Sequence, residues 1–178
     1  MVSLTFVFWM YVVLFSIIGA MRGWAKELLV SFSVILALTF ITLLQNYIPY
    51  VRDVLPKEST TLFWTRSIIL VTLVFFGYQT PNLPRFAGKF TRERLQDALL
   101  GIFLGGINGY LVAGTLWFFI VEAHYPFAMI TDPVNTGAPQ IIDAANKIIA
   151  YLPPQVLGVP AIYFAVVLAF VFVLVVFI

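Results

Sequence analysis

Catalysis needs an acid, base, nucleophile or metal ligand held on a common surface, and few residues of this chain qualify. It has no cysteine and one histidine, His124. Thiol nucleophiles, disulfides and thiolate metal sites are therefore excluded, and a histidine-rich metal centre is not expected. Glu122 stands two positions before His124. On a helix, residues so spaced diverge, which argues against a general acid–base pair. His124 has two readings, an interfacial histidine facing water or an axial ligand for haem or chlorophyll magnesium, and the first is favoured. No cofactor, no metal and no enzymatic activity are expected.

The remaining polar residues suit structure better than reaction. Gly19, Arg22, Gly23 and Glu27 fall within ten residues. The glycines permit a tight reversal, and Glu27 can neutralise Arg22 or Lys26, or favour the amino end of the helix that follows. Asp97 stands where a later helix begins. The expectation is an ion pair from Arg22 to Asp97 or Glu27, tying several helices together. A second pattern places Gly101, Gly105 and Gly109 four apart, with Ala113 continuing and Gly106 and Gly114 alongside. On a helix this is a face without side chains, which a neighbouring helix can approach closely. The rival occupant of such a groove is a flat ligand, a quinone tail or pigment. Asn108 lies beside this stripe, and a buried amide there would hydrogen-bond a neighbouring helix or, less favourably, line a pore.

These residues must be positioned by membrane helices. The chain has 178 residues, 62% hydrophobic, 17% aromatic and 10% charged, with a mean hydropathy of +1.02. A soluble domain carries roughly a quarter charged residues. Five apolar stretches stand out, at about 2–21, 25–48, 62–80, 98–121 and 159–178. About 20 residues cross a hydrocarbon core, and only helices satisfy the backbone there. The predicted fold is therefore all-α and polytopic, with five transmembrane helices and a short interfacial helix. The first span has no basic residue before it, so it reads as an uncleaved helix rather than a signal peptide.

Basic residues set the orientation. The first-to-second and third-to-fourth connections carry Arg22, Lys26, Arg85, Lys89, Arg92 and Arg94, six in all. The other side carries Arg52, Lys57 and Lys147, with Arg66 added if it snorkels outward. The amino terminus is expected outside and the carboxyl terminus inside. Arg85, Lys89, Arg92 and Arg94 alternate with Leu83, Phe86 and Phe90. They read either as an ordinary positive-inside loop or as a lipid-headgroup surface recruiting anionic lipid. Residues 122–158 are rich in proline and glycine. Within them Ile141, Ile142, Ala145, Ile148, Ile149 and Leu152 recur at helical spacing. This predicts a short helix on the outer leaflet or on a partner, ended by Pro153-Pro154.

The turn GAMRGWAKELL and the later RLQDALLGIFLGGINGYLVAG together resemble the colicin V production protein (CvpA-like) family, over about residues 1–121. Gly19, Arg22, Gly23 and Glu27 match its first-loop motif, and Asp97, Gly101 and Gly105 its helix-start motif. The resemblance implies a four-helix core in a small bacterial inner-membrane protein linked to colicin V production or secretion. Residues 122–158 and the fifth helix at 159–178 then look like additions to that core. No catalytic residue is implied. Its expected partners are the lipid bilayer and other membrane subunits or a second copy, with no nucleic acid. Two other readings stand beside this one. The first is an accessory subunit of a respiratory or photosynthetic complex. The second is a small homo-oligomeric channel lined by Asn108, Ser31, Ser33 and Thr39. An ion-coupled carrier would keep an ionisable group near mid-membrane, and the sequence displays none there.

Overall fold

A computed structural model describes residues 3–56, 58–79, 94–127, 130 and 139–177. The protein is all-helical there. The helices are α1 (Leu4–Arg22), α2 (Trp24–Tyr47), α3 (Pro49–Val54), α4 (Thr60–Tyr78), α5 (Arg94–Glu122), α6 (Pro139–Ile149), α7 (Pro153–Val156) and α8 (Ala161–Phe177). α1, α2, α4 and α5 are long and apolar enough to cross a membrane, and they overlie the first four expected spans. α8 overlies the fifth; at 17 residues it is the shorter apolar helix.

Local chemistry sets the boundaries. Only Gly23 separates α1 from α2, at φ 84°, a conformation that a side chain strains. Ser59 caps α4, its hydroxyl accepting from the Leu62 N–H at 3.1 Å. Pro49 and Pro153 open α3 and α7, where a missing N–H costs nothing. α3 lies between the second and third expected spans, where the apolar pattern predicts no helix.

α2, α4 and α5 pack around one core. Val30, Val34 and Ile41 of α2 meet Leu70 and Val74 of α4 and Leu111 and Phe119 of α5, and Ile162 of α8 joins them. α1 lies against α5 and leaves Phe6, Trp9, Val13, Ile17 and Met21 exposed. That is how a lipid-facing helix differs from a soluble one: an apolar exterior is its normal surface. A smaller cluster joins Phe8, Trp117, Ala145 and Leu152. The apolar face of α6 thus rests on α1 and α5 of its own chain. The Tyr110 hydroxyl donates to the Tyr151 carbonyl. Pro153 sits on Gly114, where a Cβ would come within 2.7 Å of its Cδ.

Candidate functional site

The α1–α2 turn brings most of the motif residues together. Arg22 closes α1, and its Nη1 donates to Glu27 Oε1 at 2.8 Å. Its Nη2 donates to the Tyr78 carbonyl at 3.0 Å, and the guanidinium lies 4.3 Å from the Tyr78 ring centroid. The last carbonyls of a helix lack intrahelical partners and carry partial negative charge. Arg22 therefore satisfies the end of α4 while pairing with the start of α2.

Glu27 is fully buried. An unpaired carboxylate there would be costly, yet this one is surrounded by donors. Its Oε2 accepts from Asn108 Nδ2 at 2.8 Å and from the Tyr78 hydroxyl at 3.5 Å. Asn108, also fully buried, gives a second Nδ2 bond to the Glu27 carbonyl at 2.9 Å. The Ser31 hydroxyl donates to its Oδ1 at 2.7 Å. Every polar atom of the Asn108 side chain is thus engaged. The ion pair expected from Arg22 forms with Glu27. Asp97 acts separately: its Oδ1 accepts from the Trp24 N–H at 3.1 Å. A carboxylate on α5 thereby caps α2, satisfying an orphan donor and opposing the positive end of the dipole. Gly23 makes room, since a Cβ there would lie 2.6 Å from an Asp97 oxygen.

The glycine face of α5 is occupied by α1. A Cβ on Gly101 or Gly105 would overlap the carbonyl of Gly19 or Phe15, and one on Gly109 would come within 2.8 Å of the Val12 Cα. Backbone against backbone fills the Gly101–Gly105–Gly109 line itself, and the groove that remains lies to one side, at Gly106 between Val12, Ser16 and Tyr110.

A second charged cluster lies at the far end of the bundle. Arg66 Nη1 donates to Glu122 Oε2. With its amide oxygen turned inward, Gln45 accepts from Arg66 Nε at 2.7 Å and Nη2 at 2.6 Å. The guanidinium stands 5.4 Å from the Phe119 ring centroid. Arg66 is only 3% exposed. It turns into the bundle toward Glu122 instead of snorkelling outward, because a carboxylate and an amide are offered inside. The buried hydroxyl of Ser67, next to Arg66, has no partner among the described residues, nor do the Thr115 hydroxyl and the Trp117 indole N–H further along α5.

His124 is exposed beyond Glu122, at φ 54°. Arg85, Lys89 and Arg92 lie outside the described residues. Arg94 opens α5, and its side chain is likewise outside them. Tyr78, Ser31 as the partner of Asn108, and the Arg66–Glu122–Gln45 cluster escaped the sequence reading. The last had a usable signal: opposite charges near the same end of antiparallel spans.

Chemically the α1–α2 site is a latch. Its carboxylate, guanidinium and amide are all consumed in joining α1, α2, α4 and α5. No curated protein and no solved structure matches the chain. The family profile described as colicin V production protein matches residues 4–132, from the start of α1 past the end of α5. That stretch contains the latch, the glycine face and Asp97, and the chain belongs to the colicin V production protein family.

Proposed function

We propose that this is a non-enzymatic, multi-pass protein of the bacterial inner membrane that acts through helix packing in secretion or envelope-related processes. Its amino terminus is outside and its carboxyl terminus inside, with five crossings. α8 supplies the fifth, running beside α2 with Phe32 and Phe170 6.4 Å apart. The observation that carries the reading is the fully buried Glu27, whose hydrogen-bonding capacity is spent on neighbouring helices. A catalytic or transporting carboxylate would keep a face open to its substrate or ion. The channel reading loses its lining for the same reason: Ser31 and Asn108 bond to each other, and Thr39 bonds back to the Ile35 carbonyl.

Work of this kind is done by holding partners, and the exposed apolar side of α1 is available for it. Mild-detergent purification with mass spectrometry tests the reading. Co-purification with secretion or envelope proteins, weakened by Arg22→Ala, is the expected result. Stoichiometric recovery with redox or pigment subunits would establish the accessory-subunit alternative instead.

A further inference from the structure

The segment from Pro139 to Pro160 does more than rest on the outer ends of the helices. Leu4, at the start of α1, and Ile120 of α5 line one groove, so α1 and α5 begin and end at a common level, close to Glu122. Gly114 is eight residues before Glu122, about 12 Å along the helix at 1.5 Å per residue. Pro153 packs on Gly114, and the Tyr151 carbonyl is held by Tyr110, a further turn in. Leu152 and Ile162 are fully buried in the bundle.

We propose that residues 139–160 form a re-entrant element. It enters from the Glu122 side, turns about 12 Å below the level of Glu122 in a hydrocarbon core of about 30 Å, and presents its turn to the acyl chains of that leaflet. The proposal rests on the membrane-spanning reading above. Three observations carry it beyond the packing depth.

First, backbone exposed to hydrocarbon must satisfy itself, and the turn does so from Ala150 to Leu157. The N–H groups of Ala150, Tyr151 and Leu152 donate to the Asn146, Ile148 and Ile149 carbonyls at 3.0–3.2 Å. Those of Gln155, Val156 and Leu157 donate to Leu152 and Pro153 at 2.7–3.2 Å. Pro153, Pro154 and Pro160 have no N–H to satisfy. Second, the large outward side chains suit lipid: Tyr151 is 71% exposed, Val156 55% and Val159 57%, with the exposed Gln155 the polar exception in the turn. Third, α8 has 17 residues, about 26 Å of helix against a core of about 30 Å. A start inside the bilayer makes that length sufficient.

The chain has no cysteine, so single nitroxide labels can be placed in the full-length protein, reconstituted in phosphatidylethanolamine–phosphatidylglycerol vesicles. Labels at Val156→Cys and Tyr151→Cys report the turn. Val13→Cys on exposed α1 is the lipid reference and His124→Cys the aqueous one. Power saturation with oxygen and with a water-soluble nickel chelate reads the depth. The expected ratio of oxygen to nickel collisions at 156 and 151 exceeds one and approaches that at 13, with the reverse at 124. A nickel-dominated turn beside an oxygen-dominated Val13 label overturns the re-entrant element alone. A nickel-dominated Val13 label brings down the membrane-spanning reading, and this proposal with it.

Discussion

At one end of the bundle Arg22 meets Glu27; at the other Arg66 meets Glu122. Both pairs use an arginine, a glutamate and an amide, Asn108 in the first and Gln45 in the second. Their surroundings differ. Around Glu27, donors and acceptors match, and its side-chain partners come from three other helices, Arg22 of α1, Tyr78 of α4 and Asn108 of α5. Around Arg66 the ion pair and amide are matched, but the adjacent Ser67 brings a buried hydroxyl with no partner among the described residues. Glu122 also keeps 28% of its side chain exposed, where Glu27 keeps none. The first region fixes the relative placement of four helices. The second closes a bundle that its apolar core already holds.

That difference predicts a ranking of substitutions, measured by SDS-induced unfolding in mixed micelles and followed by tryptophan fluorescence. Glu27→Ala should be the most damaging. Removing one member of a buried pair costs about 3–5 kcal/mol, and Arg22, with 19% of its side chain exposed, moderates this toward the lower figure. Glu27→Gln keeps the contacts to Asn108 and loses the charge, so it should fall between Glu27→Ala and the parent. Equal stability of Glu27→Ala and the parent would remove the basis for calling this region a latch.

Next comes the interface beside the latch. Gly105→Leu drives a side chain into the Phe15 carbonyl and the Gly19 Cα. Overpacking of this kind costs about 1–3 kcal/mol, and more where backbone cannot give. Gly158→Ala is the contrast, because its Cβ would meet nothing closer than 3.6 Å, and its unfolding curve should overlay the parent's. A cross-link between cysteines on α1 and α5 should weaken in the first variant and persist in the second.

The latch was more legible in the sequence than the outer cluster, for physical reasons. Glycine at every fourth place has one structural use in a helix, close approach, so Gly101, Gly105 and Gly109 announce their role. Arg22, Glu27 and Asp97 sit beside a turn whose glycines fix the local geometry, which leaves few partners to choose from. Tyr78 was silent because its main contribution is a backbone carbonyl, and carbonyls carry no residue signature. Arg66 and Glu122 are 56 positions apart. Each alone reads as a boundary charge, and pairing them requires the relative height of α4 and α5. The contacts of α6 and α7 are of the same kind. Periodicity gives the apolar face of a helix but not the surface that receives it.

The outer pair should be the weaker one. Glu122→Gln leaves Arg66 with Gln45 and partial access to water through the Glu122 position. The expected loss is about 1–2 kcal/mol, nearer the value of one charged hydrogen bond than of a fully buried pair. A loss equal to that of Glu27→Ala would erase the contrast between the two ends.

The smallest effect has the opposite sign. Other hydroxyls in these helices find a carbonyl one turn back: Ser33 bonds to Leu29, Thr39 to Ile35 and Thr42 to Leu38. Thr115 is fully buried between Leu111 and Phe119 and makes no such bond. Valine has the same shape and nothing to satisfy. Thr115→Val should therefore be neutral or stabilise by up to about 1 kcal/mol, since the removed group leaves no partner behind. Ser31→Ala, the parallel change in the latch, strips Asn108 Oδ1 of its donor and should destabilise by about 1 kcal/mol. The two changes delete the same kind of atom, one from a fully buried position and one from a half-buried one. Opposite signs would mean that satisfaction of the surrounding groups, rather than loss of a hydroxyl as such, sets the outcome. Two losses of equal size would instead show that Thr115 has a partner the hydrophobic core conceals, a bound water being the simplest.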